Sequence, residues 1–169
     1  MGIMKVEELE KLALSLGLLI KVQARETLGL CFFRIIIAEQ NDNIVKIWGE
    51  LKGWTFLNKQ GVQLDTLRVL SSSPAYVSEL IWASTMAWAI EKKGSTKARL
   101  LAIFDNEGYS KKLVRYFKIM GFKIVKEVGS SPEDLFLRLV WGGAGTLMTG
   151  ECSYVLSKIE KKLSLIKEF

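Results

Sequence analysis

The chemistry open to this chain is bounded first by what it lacks. It has no histidine and only two cysteines. That removes Ser-His and Cys-His catalysis and the commonest metal ligand. A general base must then be Asp or Glu, or else Lys or Tyr. Cys31 and Cys152 lie far apart with no CxxC pair. They make neither a zinc site nor a disulfide framework, and both are expected as free thiols in a reducing compartment. A second resource is an anion site. Ser71-Ser72-Ser73-Pro74 separates a β-rich run, 62–70, from the uncharged stretch LIWASTMAWAI at 80–90. A strand that hands over to a helix leaves unpaired N–H groups at the positive end of the helix dipole. The third resource is cationic. The net charge is +6, yet residues 1–91 and 127–169 each carry −1, so residues 92–126 hold +8. In the bland case such a segment is a solvated helix face. In the sharper one it attracts a cofactor phosphate, nucleic acid or an acidic partner.

The elements that must position these residues follow from periodicity. At 169 residues the chain is long enough for one domain, 1–169, with a real core. Apolar residues make up 49% and there are two prolines, which excludes disorder. No apolar run is long enough to cross a bilayer. Val6 breaks a myristoylation signal, and Glu7, Glu8 and Glu10 make the first helix unlike a leader peptide. The expected location is cytoplasmic, without membrane or metal. Residues 4–16 read as an amphipathic helix stopped by Gly17. Residues 28–38, 44–57 and 62–70 read as strands joined by short turns, hence an antiparallel meander. The apolar helix starts at Ser73 with Pro74 at its first position, or nearer Ser78, and Lys92-Lys93-Gly94 ends it. Being apolar all round, it is expected inside, with Trp82 and Trp88 in the core. Then come a strand at 98–104 and a helix at 109–120. Leu113, Tyr116, Phe117 and Met120 share that helix's apolar face, opposite Lys111, Lys112, Arg115 and Lys118. A strand at 122–128, a turn, a returning strand at 135–141 and a final helix at 153–167 complete the chain. Gly142-Gly143-Ala144-Gly145 reads as a bulge or turn, or as a place where a substrate could approach the backbone. The fold class is α/β (α+β): a mixed, mostly antiparallel twisted sheet flanked by helices, with an added helix at each end.

This order of elements resembles the GNAT family of acyl-CoA N-acyltransferases over residues 28–141. The most specific parts are Leu67-Arg68-Val69 before the apolar helix and Arg115-Tyr116-Phe117-Lys118-Ile119-Met120-Gly121-Phe122. The resemblance implies acetyl transfer from acetyl-CoA to a small-molecule or protein amine. It implies that strands 62–70 and 98–104 run side by side and splay at their C-terminal ends. It places cofactor contacts at Leu70, Ser71, Ser72, Ser73, Tyr76, Val77 and Ser78, with Asn106, and main-chain N–H groups near Leu70 would polarise the acyl carbonyl. This loop has no glycine, Pro74 removes one donor, and Glu79 would repel a pyrophosphate. The family's acid, a tyrosine four residues before the glycine, falls on Phe117, which has no proton to give. Tyr116 is turned about 100° away. The family's asparagine falls on Ser110, whose hydroxyl is the candidate substitute. The base is Asp65, or Glu50 on the neighbouring strand. The alternative is a catalytically degenerate module of the same fold that binds a protein or, less expectedly, nucleic acid. A homodimer is left open.

Overall fold

The structure is a computed structural model that describes residues 2–56, 61–103 and 107–166, and of residues 107–110 the backbone only. Four strands form the meander: β1 (Leu19–Thr27), β2 (Leu30–Asn41), β3 (Ile44–Phe56) and β4 (Val62–Val69). Three more, β5 (Lys97–Ile103), β6 (Lys123–Val128) and β7 (Gly145–Glu151), extend it into one seven-stranded sheet. The order is β1-β2-β3-β4-β5-β7-β6. β4 and β5 are parallel, and the other neighbouring pairs are antiparallel. This is the mixed, mostly antiparallel sheet that the short turns predict.

The alternation along β2 explains the layering. Cys31, Phe33, Ile35 and Ile37 join the main core with α1 (Val6–Ser15), α2 (Val77–Lys93) and α5 (Cys152–Ser164). Their neighbours Phe32 and Arg34 face the other way. α2 is buried without a break from Leu80 to Ala89, so a stretch without a polar stripe is covered on all sides, as its sequence requires. It ends where Gly94 turns left-handed (φ +58°), and Ser95 N–H donates to the Ala89 carbonyl. α1 is tied beside it: Val6 N–H donates to Glu91 at 2.8 Å, and Met4 N–H donates to Glu160 of α5. α3 (Glu107–Met120) packs on the same side through Phe117 and Met120, and Phe122 just after it joins the same core. Opposite them, α4 (Leu135–Trp141) covers only the far end of the sheet, where Trp141 packs with Val128, Leu147, Trp54 and Leu101. Among the described residues, no helix is long and apolar enough to cross a membrane.

Three expectations need correction. Residues 135–141 form α4 rather than a returning strand; Gly142, left-handed at φ +76°, caps it. The strand that returns is β7, whose first residue, Gly145, closes the glycine-rich run 142–145 expected as a bulge or turn. Gly145 begins it because a Cβ there would meet the Ala102 carbonyl oxygen at 2.3 Å. The close approach is made by the neighbouring strand, not by a substrate. Finally, β1 precedes the expected meander, and Leu28 and Gly29, both with positive φ, make the tight turn into β2.

Candidate functional site

The site grows out of β4. Its pairing with β5 is confined to Val62, Gln63 and Leu64 against Ala98, Arg99 and Leu100. Beyond that point β4 runs on beside β3 and β5 runs on beside β7, so the two strands part toward their C-terminal ends. The splay expected from the resemblance is present. The last pair, Leu64 with Leu100, is followed at once by an irregularity. Lys52 lies opposite Thr66 while Gly53 lies opposite Leu64, which leaves Asp65 as an extra residue in β4. Such a bulge bends its strand and re-aims the side chains around it. Gly53 is required beside it, because a Cβ there would lie 2.2 Å from the Gln63 carbonyl oxygen and 2.6 Å from Phe33.

The bulge puts Asp65 at a junction. On the helix side, the splay encloses a cavity of about 70 Å³ lined by Leu64, Asp65, Leu67, Trp82, Leu100 and Phe117. On the open side, Asp65 also borders a cavity of about 380 Å³ with Arg25, Phe32, Arg34, Lys52 and Trp54. Asp65 is exposed, and Thr66 donates its hydroxyl to Oδ2 at 3.2 Å. A larger cavity of about 660 Å³ lies at the opposite ends of these strands, beside Cys31, Thr55, Gly61 and Lys93. It contains none of the candidate catalytic side chains.

Glu50 lies elsewhere on the open face, across from Ile36 and Arg68. It is only 8% exposed. Arg34 donates to it through Nε and Nη2, and Lys52 stands at 3.4 Å. Burial alone would raise the Glu50 carboxyl, but Arg34 and Lys52 outweigh that and hold its pKa below the ordinary value. A carboxylate held this way is a weak base, and its lone pairs are occupied. The structure therefore separates the two candidate bases: Asp65 borders both cavities and Glu50 borders neither.

The residues expected to contact an anion lie in the loop between β4 and α2. α2 begins at Val77, near the later of the two expected starts, and no side chain caps it. Its first N–H groups therefore have no partner within the helix. Tyr76 before it is left-handed at φ +73°, a costly conformation for tyrosine that the loop imposes. Ser71 and Ser72 are exposed, and Ser73 and Ser78 are half-buried. Leu70 departs from expectation. Its N–H is donated to the Trp48 carbonyl at 2.9 Å, so it cannot polarise a ligand. Alternation along the strand then aims the N–H groups of Leu67 and Val69 away from β3, into the gap that β5 has left.

Phe117 lines that gap, in edge-to-face contact with Trp82 at 6.1 Å and Phe122 at 6.0 Å between ring centres. Tyr116 is 39% exposed and does not line it, as the helical step predicts. Asn106 and the Ser110 side chain lie outside the described residues. Lys111, Lys112, Arg115 and Lys118 form an exposed face of α3. No group of three or more His, Cys, Asp or Glu residues among those described could hold a metal. Two features were missed in the sequence. Trp82, which lines the gap, is 2% exposed, and its buried Nε1–H has no partner among the described residues. Arg34 was the legible one: a lone cation within the apolar run of β2 needs a carboxylate, and Glu50 supplies it.

No protein-family model matches the sequence, and no curated protein matches it. Solved structures do match the fold. A nucleotide-linked sugar GNAT, FdhC, superposes with a TM-score of 0.53 at 11% identity, over 82% of this chain and 65% of that one. A chimeric spermidine N-acetyltransferase from Vibrio cholerae gives 0.51 at 12%, over 75% and 71%. A protein from Desulfovibrio desulfuricans described as an acetyltransferase of the GNAT family gives 0.51 at 10%, over 72% and 69%. The fold is that of the GNAT acyltransferases, in a sequence far diverged from the structures that share it.

Proposed function

We propose that this chain is an N-acyltransferase that acylates an amine from an acyl-CoA, acetyl-CoA in the simplest case, with domain 1–169 carrying both binding sites. The observation that carries this reading is the junction at Asp65. One carboxylate, at a bulge where two parallel strands part, borders a gap on one face of the sheet and a basin on the other. An acyl donor and an acceptor can meet there from opposite sides.

The residues around the gap fit the donor. Its pyrophosphate would be held by the loop 70–78, through the hydroxyls of Ser71, Ser72 and Ser73 and the N–H groups of Val77 and Ser78, with Tyr76 shaping the loop. Glu79 in the first turn opposes this. Acetyl-CoA, when bound, supplies the activated thioester. The N–H groups of Leu67 and Val69 would donate to an acyl oxygen. Asp65 takes the proton from the attacking amine. Phe117 offers no proton where the family's acid would stand, so transfer is slow unless Ser110 or water supplies one. A cytoplasmic location accords with the two free thiols. The exposed Leu135, Phe136, Leu139 and Val140 of α4 are the surface on which a homodimer would form.

One observation favours a second reading, a binding module without catalysis. The gap, lined by Trp82 and Phe117 among others, is only about 70 Å³, and the exposed cationic face of α3 could serve a partner instead. Titration calorimetry with acetyl-CoA, together with thermal unfolding in its presence, tests the choice. The acyltransferase reading expects saturable heat and a melting temperature that rises with concentration. No heat and no shift at millimolar acetyl-CoA would overturn it in favour of the module.

A further inference from the structure

The open face of β1–β4 carries a charge pattern that the linear sequence conceals. Residues directly opposite in register point to the same face. Arg25 lies opposite Phe32, Gln23 opposite Arg34, and Lys21 opposite Ile36. The next step across pairs Phe32 with Trp54, Arg34 with Lys52, and Ile36 with Glu50. The last pairs Lys52 with Thr66 and Glu50 with Arg68. Lys21, Arg25, Arg34, Lys52 and Arg68 therefore share one face. Glu50 is the carboxylate among them, and Asp65 borders them at the bulge.

Within the 380 Å³ basin this imbalance has a definite location. Arg34 and Lys52 share Glu50. Arg25 has no ion pair among the described residues and is exposed on the edge strand, opposite the half-exposed ring of Phe32. Trp54 continues that aromatic floor toward the bulge. Asp65 closes the basin on the β4 side, three strand spacings or about 14 Å from β1.

We propose that the basin binds an acceptor amine that also bears a carboxylate. The amine lies at Asp65, an apolar or aromatic body lies on Phe32 and Trp54, and the carboxylate lies on Arg25. This deepens the acyltransferase reading and rests on it for the amine's fate. One unneutralised guanidinium calls for one negative charge, and its planar fork suits a carboxylate. The same field disfavours the ammonium form of the bound amine, which helps Asp65 to leave it neutral and nucleophilic. A polyamine is the wrong substrate for this surface: each added cation would face Arg25, Arg34 or Lys52. In this respect the chain parts from the spermidine N-acetyltransferase that shares its fold.

The test is a binding comparison without acyl donor. The probes are 4-(aminomethyl)benzoate, 4-methylbenzylamine and spermidine, titrated calorimetrically into wild-type protein and into the exposed-residue variant Arg25→Ala. The carboxylate probe should bind about tenfold or more tighter than its methyl analogue, as expected for one charge-assisted contact. Arg25→Ala should bring the two together, and spermidine should bind most weakly. Equal binding of the first two probes, tighter binding of spermidine, a preference that survives Arg25→Ala, or no binding of any probe at millimolar concentration would each overturn the proposal. Acetyl-CoA titrated separately keeps the two readings apart. If it binds and the carboxylate preference is absent, this inference alone fails. If the preference holds and acetyl-CoA does not bind, the basin stands and the acyltransferase reading falls.

Discussion

The substitution Phe117→Tyr places an ionisable hydroxyl in the gap between β4 and β5. Phe117 is half-buried, with its ring against Trp82 and Phe122, and it borders a cavity of about 70 Å³. One hydroxyl needs less space than a water molecule, about 30 Å³, so it enters without overpacking. An unpaired hydroxyl there would cost about 1–3 kcal/mol. The buried Trp82 Nε1–H has no partner among the described residues, and a hydrogen bond between the two would hold the net change in stability below about 1 kcal/mol. Catalysis should move much further. A positioned acid is worth about two to four orders of magnitude in rate. A hydroxyl added without evolved support should realise less than that, but at least about tenfold, or about 1.4 kcal/mol of barrier. The assay is thiol release from acetyl-CoA, with 4-(aminomethyl)benzoate as acceptor, followed by a thiol reagent. The protein's own background is low: Cys31 and Cys152 are buried, and burial pushes the Cys152 thiol up to about 12. The rate constant should rise while acetyl-CoA affinity stays nearly unchanged. An unchanged rate with intact cofactor affinity would refute the placement of Phe117 beside the reacting sulfur. A wild type already as fast as ordinary acetyltransferases would show that another group supplies the proton.

Glu50→Gln should cost about 1–2 kcal/mol at neutral pH, because it leaves Arg34 and Lys52 without their shared carboxylate in a partly screened setting. The folded Glu50 pKa lies below its ordinary 4.5. Its contribution is therefore complete above about pH 4.5 and is lost as pH falls through the folded value, so the gap between wild type and variant in urea unfolding should close on the acid side. Gly53→Ala should destabilise by about 1–3 kcal/mol in the same assay, since the new Cβ meets the Gln63 carbonyl at 2.2 Å; a neutral result would mean that the bulge at Asp65 shifts freely. Charge reversal at Lys111, Arg115 and Lys118 together should weaken acetyl-CoA binding and flatten its salt dependence, and an unchanged slope would make that face of α3 solvated surface only.

What could be read in the sequence was whatever periodicity or an absence of charge enforces. α2 was legible because eleven uncharged residues, 80–90, have nowhere to go but inside. The three inner strands of the meander were legible from short turns between β-branched runs. β1 was not, because it is an edge strand whose residues from Gln23 onward are nearly all exposed, so its alternation carries little hydrophobic contrast. α4 was misread because seven mostly apolar residues suit a buried strand as well as a helix; its signals were Pro132 before it and Gly142 after it. β7 hid behind glycine, which marks a turn as readily as a crowded strand. The candidate site divides the same way. Asp65 and the loop 71–78 were singled out as candidates from the order of elements. The bulge that brings Asp65 to both faces leaves no trace in residue type, and Leu70 lost its expected role to a hydrogen bond with a distant strand. The basic face was invisible because Lys21, Arg25, Arg34, Lys52 and Arg68 are spread over four strands, and the ten acids of residues 1–91 cancel them in any linear count.

The central claim is that the splay between β4 and β5 receives an acyl-CoA. Amide spectra of the isotopically labelled protein, recorded through a titration with acetyl-CoA, test it residue by residue. Saturable shifts are expected at Leu67, Val69, residues 71–73 and residues 75–78, with Lys93, Gly94 and Ser95 at the far cavity unmoved. Shifts confined to the far cavity or to α3, or none at all, would contradict it.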